Sequence, residues 1–340
     1  MNRRLFLMAV TGAAGCSQRK RPRLNVYNWS NYVAPDTIPN FEREHGVEVR
    51  YAIYESNEEM LAKVMSGNSG WDVVFPSNYI VKPLRENRLL QPLRQAWLPN
   101  LENLDPGFRA PSWDPNLEWC APYAWGATGI LFNRSVSPAP KAWSDLWDQR
   151  LGGRETMLDD PGEVLGACLK KLGKSINSVD PSELAAARRE AIAQKPLLRA
   201  YLNAEVRDQV VAGDVLAAQA WVTIAEQAKG ASHDLDFAFP EEGFSLYADN
   251  AVVLRESRRA ELAHRFIDHL LRAEVSAAVV VATRTATANG AARALLPQEL
   301  RNSPTLYPPP QTLQRGEWFE TLPPAGQRLR DRIWTEIKSS

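Results

Sequence analysis

Cysteine and histidine are scarce in this chain: three of one and four of the other in 340 residues. Cys120 and Cys168 are far apart and read as two separate buried thiols, with a bridge between them left open, and there is no Cys-x-x-Cys pair. His45, His233, His264 and His269 are scattered, and the last two, five apart on a predicted helix, do not share a face as metal ligands would. No P-loop, no G-x-G-x-x-G and no nucleophile-elbow pattern occurs, so a metal, nucleotide or serine-nucleophile site is unsupported. Formal charge is zero, with 40 basic and 40 acidic residues, which leaves no basic field for nucleic acid. Past the N-terminus no apolar run approaches the ~20 residues needed to span a bilayer, so the body reads as soluble.

What is present begins with an export segment. Residues 1–23 carry Arg3 and Arg4, an apolar run from Leu5 to Val10, then small residues. "AAGC" before Cys16 resembles a bacterial lipobox, in which Cys16 is lipidated, and "NRRLFL" resembles a twin-arginine signal. A plain secretory signal with an incidental cysteine is the alternative; on either reading the protein leaves the cytoplasm. Removing residues 1–15 takes away two arginines and no acid, so the mature chain is slightly acidic.

The body alternates strand and helix. "LNVYNW", "VEVRYAIY" and "WDVVFPS" read as strands separated by the helices "DTIPNFEREHG" and "SNEEMLAKVMSG", the second opening on Ser56 and Glu59 in capping-box spacing. "APYAWGATGILFN" is a long extended run able to carry the chain into another lobe. A second alternation follows: "ETML", the helix "PGEVLGACLKKLG", a charge-rich solvated helix "PSELAAARREAIAQ", then "LRAYL", "EVRDQVVAG" and "VLAAQAWV". "LDFAFPEEG" and "SLYADNAVVL" are two more strands, the latter a candidate return crossing. A single long helix is predicted over "RRAELAHRFIDHLLRAEVSAAVVVAT", an irregular Pro-rich tail from Leu306, and a last helix near "QRLRDRIWTEIKSS". The pattern predicts an α/β chain of two lobes, each a mixed sheet flanked by helices and joined by extended hinge crossings.

With metals and nucleophiles set aside, aromatics and carboxylates remain. In "VYNWSNYVAP", Trp29 and Tyr32 flank Ser30 where a strand ends, as a lid on the core or as a wall of a ligand site. Ser77 and Tyr79 in "FPSNYI" and Trp221 in "QAWVT" recur at strand ends, and open α/β sheets bind ligands beyond the carboxyl ends of their strands. In "LDDPGEVL", Asp160 suits an N-cap, Pro161 the first helical position and Glu163 a capping box; the same pair also suits a cation site. Tyr247 and Asp249, two apart in a strand, share a face, and an acid in so apolar a run needs a partner or water. A flexible ligand of ammonium groups joined by methylenes would use this whole set: rings for the methylenes and cations, carboxylates for the N–H groups.

Over about residues 24 to 338 the sequence resembles the spermidine/putrescine-binding proteins of bacterial ABC importers. The resemblance is carried by "YNWSNYVAPDTI", "YESNEEMLAKVMSG", "WDVVFPSNYIV", "NLDP", "PYAWGATGI", "DDPGEV", "FPEEG", "LLRAEV" and "LYPPPQTL". It implies a periplasmic-binding-protein-like fold whose lobes are 24–128 with 249–292 and 129–248 with 293–340. It places an aromatic box on Trp29, Tyr32, Tyr79 and Trp221, with Tyr247 where the spermidine-binding branch carries Trp. The ammonium-binding carboxylates fall on Asp160, Glu163 and Asp249, and Ser30 and Ser77 match polar positions of the cleft. Three positions depart from the family: Asn31 replaces an acid, Phe319 a glutamine of the spermidine branch, and near Ile224 an aspartate of the putrescine branch is missing.

The expected protein is therefore not an enzyme. It is a monomeric receptor in the periplasm or cell envelope, anchored to the membrane by lipid on Cys16, that hands a polyamine to the permease subunits of an ABC importer. No cofactor, metal or nucleic acid is expected. The alternatives are a receptor or sensor for another organic cation on the same fold, and a secreted glycosidase using paired acids beside tryptophan.

Overall fold

The computed structural model describes residues 21–340; most of the expected export segment, with Cys16, lies outside the described residues. The first lobe opens with strand β1 (Arg23–Trp29), helix α1 (Thr37–His45), β2 (Glu48–Tyr54), α2 (Asn57–Val64), β3 (Val73–Val74) and α3 (Asn78–Glu86). β1 alternates as a doubly covered strand does. Leu24 and Val26 enter one core with Phe41, Phe75 and Phe266, while Tyr27 enters the opposite core with Tyr54 and Met60. β2, β1 and β3 run parallel, so their carboxyl ends, at Tyr54, Trp29 and just before Ser77, share one edge.

Strand β4 (Ala121–Asn133) leads into the second lobe: β5 (Glu155–Met157), α4 (Pro161–Lys171), α5 (Pro181–Gln194), β6 (Leu198–Tyr201), α6 (Val206–Val211), β7 (Ala217–Trp221), α7 (Val222–Ala231) and β8 (Leu235–Ala238). β6, β5 and β7 are again parallel, and β4 runs antiparallel to β7, with Thr128 opposite Trp221. The return strand β9 (Phe244–Val253) pairs antiparallel with β3 at its end and with β4 from Ala121 to Ala127. β4 and β9 therefore link the two lobes through one continuous sheet path, β2-β1-β3-β9-β4-β7-β5-β6. The second-lobe sheet is also covered on both faces, by Trp143, Leu146 and Leu165 on one side and Val206, Val210 and Ala225 on the other.

The chain ends with α8 (Ala260–Leu270), α9 (Ala273–Thr283), β10 (Ala286–Thr287), α10 (Gly290–Leu295), α11 (Gln298–Arg301), α12 (Pro310–Leu313), β11 (Gly316–Trp318) and α13 (Pro324–Ser339). The single helix expected across residues 258–283 is two. Arg272 takes an extended conformation (ψ 136°) between α8 and α9, because the two apolar stripes have different partners. Phe266 and Ile267 face the first-lobe core, whereas α9 divides its apolar residues, Val279 joining that core and Ala277 and Val280 packing with Leu296 and Leu306. The tail after Leu306 is less irregular than expected, since β11 adds a parallel strand to β9. "WDVVFPS" is strand only at Val73–Val74; of the helices unforeseen in the sequence, α7 follows β7 directly and α3 starts four residues after β3 ends. In α5, expected to be solvated, Leu184, Ala187 and Ala191 are buried, and of its charged residues Arg189 is exposed while Glu183, Arg188 and Glu190 are half-buried in ion pairs. Cys120 and Cys168 are free and buried. Among the described residues no helix is long and apolar enough to cross a membrane.

A candidate ligand cavity between the lobes

The carboxyl ends of the two parallel sheets face each other across a cavity of about 760 Å³, and all ten sequence-derived candidates line it. Each reaches it for a local reason. Trp29 is the last residue of β1; its indole N–H donates to the Phe75 carbonyl at 2.8 Å, and its ring lies 4.6 Å from Tyr54. The chain then turns through Asn31 in the left-handed region (φ 53°), which brings Tyr32 back over the site with its ring 6.3 Å from Trp29. Ser30 sits nearer the rim, its hydroxyl donating to the Glu55 carboxylate at 3.0 Å.

Asp249 is where the first-lobe wall becomes acidic. It is 2% exposed, and its two oxygens accept one hydroxyl each, from Ser77 and from Tyr32, both at 2.7 Å. Burial raises its carboxyl to about 6, and these two donors pull in the opposite direction. Tyr247, on the same face of β9, lies flat against Gly126 of β4; a Cβ there would sit 2.4 Å from the phenol oxygen, so that position requires glycine.

The opposite wall is built on the first turn of α4. Asp160 caps the helix, its Oδ1 accepting the Glu163 backbone N–H at 3.0 Å. The expected capping box is only half formed. The Glu163 side chain does not return to the cap but turns inward, where Oε1 accepts the Thr128 hydroxyl (2.7 Å) and the Trp221 indole N–H (3.2 Å), and Oε2 the Ser245 hydroxyl (2.7 Å). One carboxylate thus joins α4 to β4, β7 and β9. Desolvation raises Asp160 to about 6, with Glu58 adding to the rise; burial and then Asp160 raise Glu163 to about 7. The α2 box is likewise half formed: Ser56 accepts the Glu59 N–H, while the Glu59 carboxylate takes the Glu55 N–H and the Tyr27 hydroxyl. Burial holds the phenols of Tyr32, Tyr79 and Tyr247 well above their usual range, so they remain neutral donors.

Several lining residues lie beyond the sequence reading. Asn57, just inside α2, donates to the Ser77 hydroxyl (3.0 Å) and to the Tyr79 hydroxyl (2.9 Å), fixing both; nothing local in the sequence marks it. Thr223 and Gln227, four apart on α7, line the wall beside Trp221, and recognising α7 would have put them on one face. Phe319, already marked in the sequence as replacing a glutamine of the spermidine branch, is brought in by β11, stands 5.5 Å from the Tyr79 ring and packs over Gly162, giving an apolar end beside Asp160. The lining includes three buried or half-buried carboxylates and six aromatic rings, and no lysine, arginine or histidine. Among the described residues no cluster of His, Cys, Asp and Glu could hold a metal ion.

Two hinged α/β lobes closing on a cavity at their strand ends define a solute-binding protein. The chain belongs to the bacterial extracellular solute-binding proteins, whose family profile matches residues 37–307. It is similar to the spermidine/putrescine-binding periplasmic protein of Escherichia coli (strain K12), at 36% identity over 93% of this chain and 91% of that one. It is also similar to the putrescine/cadaverine-binding protein of Pseudomonas aeruginosa, at 31% over 99% of both. Among solved structures, the TpPotD lipoprotein of Treponema pallidum matches with a TM-score of 0.83 at 28% identity, over 93% of this chain and 99% of that one.

Proposed function

We propose that this protein captures a polyamine, putrescine- or spermidine-like, in the cavity between its lobes and delivers it to the permease subunits of an ABC importer, without catalysis of its own. The observation that carries this reading is the mismatch of charge: Asp160, Glu163 and Asp249 converge on a ring-lined cavity to which no basic side chain contributes. Buried acids of that kind are costly unless a cation joins them. In this reading the carboxylates take ammonium N–H groups, Trp29, Tyr32, Tyr79, Trp221 and Tyr247 cover the methylenes, and Ser30 and Ser77 complete the polar wall. The names of the relatives support the same ligand class.

The protein acts as an exported monomer in the periplasm or cell envelope, held by lipid on Cys16 after twin-arginine export; the relative known as a lipoprotein favours the anchor. Its first lobe comprises 24–128 with 249–292 and its second 129–248 with 293–340, the segment 293–307 packing back onto α9. A second reading, a receptor for another organic cation, is favoured by one feature, the apolar Phe319 beside Asp160. The glycosidase alternative is not favoured, because both acids of the pair stand on one turn of α4. Calorimetric titration with putrescine, cadaverine and spermidine tests the proposal. One-to-one binding at micromolar affinity or tighter, weakened by salt, is expected; no heat with any of the three on folded protein refutes it.

A further inference from the structure

Apart from the exposed Glu55, which holds Ser30, the acids of the cavity are divided unequally: Asp249 stands on the first-lobe wall, Asp160 and Glu163 together on the second. Resting on the reading of this cavity as a polyamine site, we propose that the Asp160–Glu163 pair is a proton-held third charge. With a diamine bound the pair keeps one proton, with a triamine it gives that proton up, and selectivity for triamine over diamine therefore rises with pH.

The hydrogen bonds indicate where the proton resides. Asp160 Oδ1 accepts a backbone N–H and Glu163 Oε1 accepts an indole N–H, and neither donor can reverse its role. Asp160 Oδ2 and Glu163 Oε2 are left. On Oε2 the only donor is the Ser245 hydroxyl, which can rotate and accept instead. The charged and titratable neighbours work in one direction. Asp159 beside the pair, although ion-paired to Lys338 at 2.7 Å, and Glu58 from α2 add negative charge, Tyr79 and Tyr247 are neutral phenols, and no cationic side chain lines the cavity. Across the cavity the titratable groups beside Asp249 are phenols, those of Tyr32, Tyr54 and Tyr247, and the Ser77 hydroxyl also donates to it. Two neighbouring desolvated carboxyls cannot both ionise cheaply without a cation, in keeping with their raised values of about 6 and about 7.

The charge balance follows. A dication neutralises Asp249 and one member of the pair, and the other stays protonated. A trication neutralises all three and needs the proton expelled to solvent. Both amines need Asp249 and one member of the pair ionised, so both affinities fall below about pH 6, but triamine binding carries one further deprotonation and gains on diamine binding by up to about tenfold per pH unit below the upper value of the pair, levelling off above it.

The test is titration of the full mature protein with putrescine and with spermidine at pH 5.5, 6.5 and 7.5, each in two buffers of different ionisation enthalpy to count protons. The ratio of spermidine to putrescine association constants is expected to rise at least tenfold across the series, with about one more proton released by spermidine at pH 6.5. In Asp160→Asn, which keeps the cap acceptor, and independently in Glu163→Gln, the ratio becomes insensitive to pH and moves toward the diamine. Binding of both amines with a flat ratio and equal proton counts would overturn this inference alone, whereas binding of neither would refute the polyamine reading itself.

Discussion

Asp249→Asn separates the role of this carboxylate in binding from its role in folding. The substitution keeps the shape and removes one negative charge from a side chain that is 2% exposed. An ammonium about 4 Å from a carboxylate gains roughly 4 kcal/mol at an effective dielectric near 20, before desolvation is counted. Net hydrogen bonds to charged groups contribute about 1.5–3 kcal/mol, so polyamine affinity should fall roughly 10- to 150-fold. Stability should respond differently. The folded Asp249 titrates near 6, above the value of an unfolded aspartate, so its contribution favours the fold at low pH and is lost as pH rises through about 6. At pH 7.5 the buried charge costs on the order of 2–3 kcal/mol. Asparagine removes that cost while giving up part of the bonding with Tyr32 and Ser77. Titration calorimetry at pH 7.5 should therefore show weakened binding while the ligand-free Tm does not drop. Unchanged affinity, or affinity lost only together with the fold, would refute the reasoning.

Other substitutions probe the remaining parts of the site and the core. Trp221→Ala, which removes a wall of the cavity and a donor to Glu163, should weaken polyamine binding at least tenfold by calorimetry. Gly126→Ala places a Cβ 2.4 Å from the Tyr247 phenol oxygen; the ring must move, and both Tm and affinity should fall, whereas Gly230→Ala, in open space, should leave affinity unchanged. Glu155 is fully buried in β5 with neither oxygen partnered, and burial raises it to about 8. Its contribution to stability is fully present below the unfolded value of about 4.5 and lost as pH rises to about 8, so Glu155→Gln should raise Tm clearly more at pH 8.5 than at pH 5.5. A Tm that falls at pH 8.5 would contradict this.

Much of the site was legible because its residues lie at strand ends and obey short-range rules. The two-residue spacing of Tyr247 and Asp249 in β9, and the Asp160-Pro161-x-Glu163 start of α4, predict faces and positions without knowledge of the fold. Glu163 shows the limit of such rules. Its spacing predicts a bond back to the cap, but three donors from β4, β7 and β9 compete for the carboxylate and win, and these are visible only in the folded chain. Asn57 was missed for a similar reason, since its partners Ser77 and Tyr79 lie some twenty residues away. α3 was hidden by Pro83 inside it, and α7 begins at Trp221 without any side-chain cap. The break at Arg272 was masked because the apolar pattern continues through it while the packing partner changes.

The most direct test of the central claim is a crystal structure of the mature protein grown with saturating spermidine or putrescine. The account predicts an extended amine between the two walls, its nitrogens within hydrogen-bond reach of Asp249 and Asp160 and its methylenes against Trp29 and Trp221. Amine density on another surface, with these acids and rings in place around a cavity that the ligand does not enter, would contradict it.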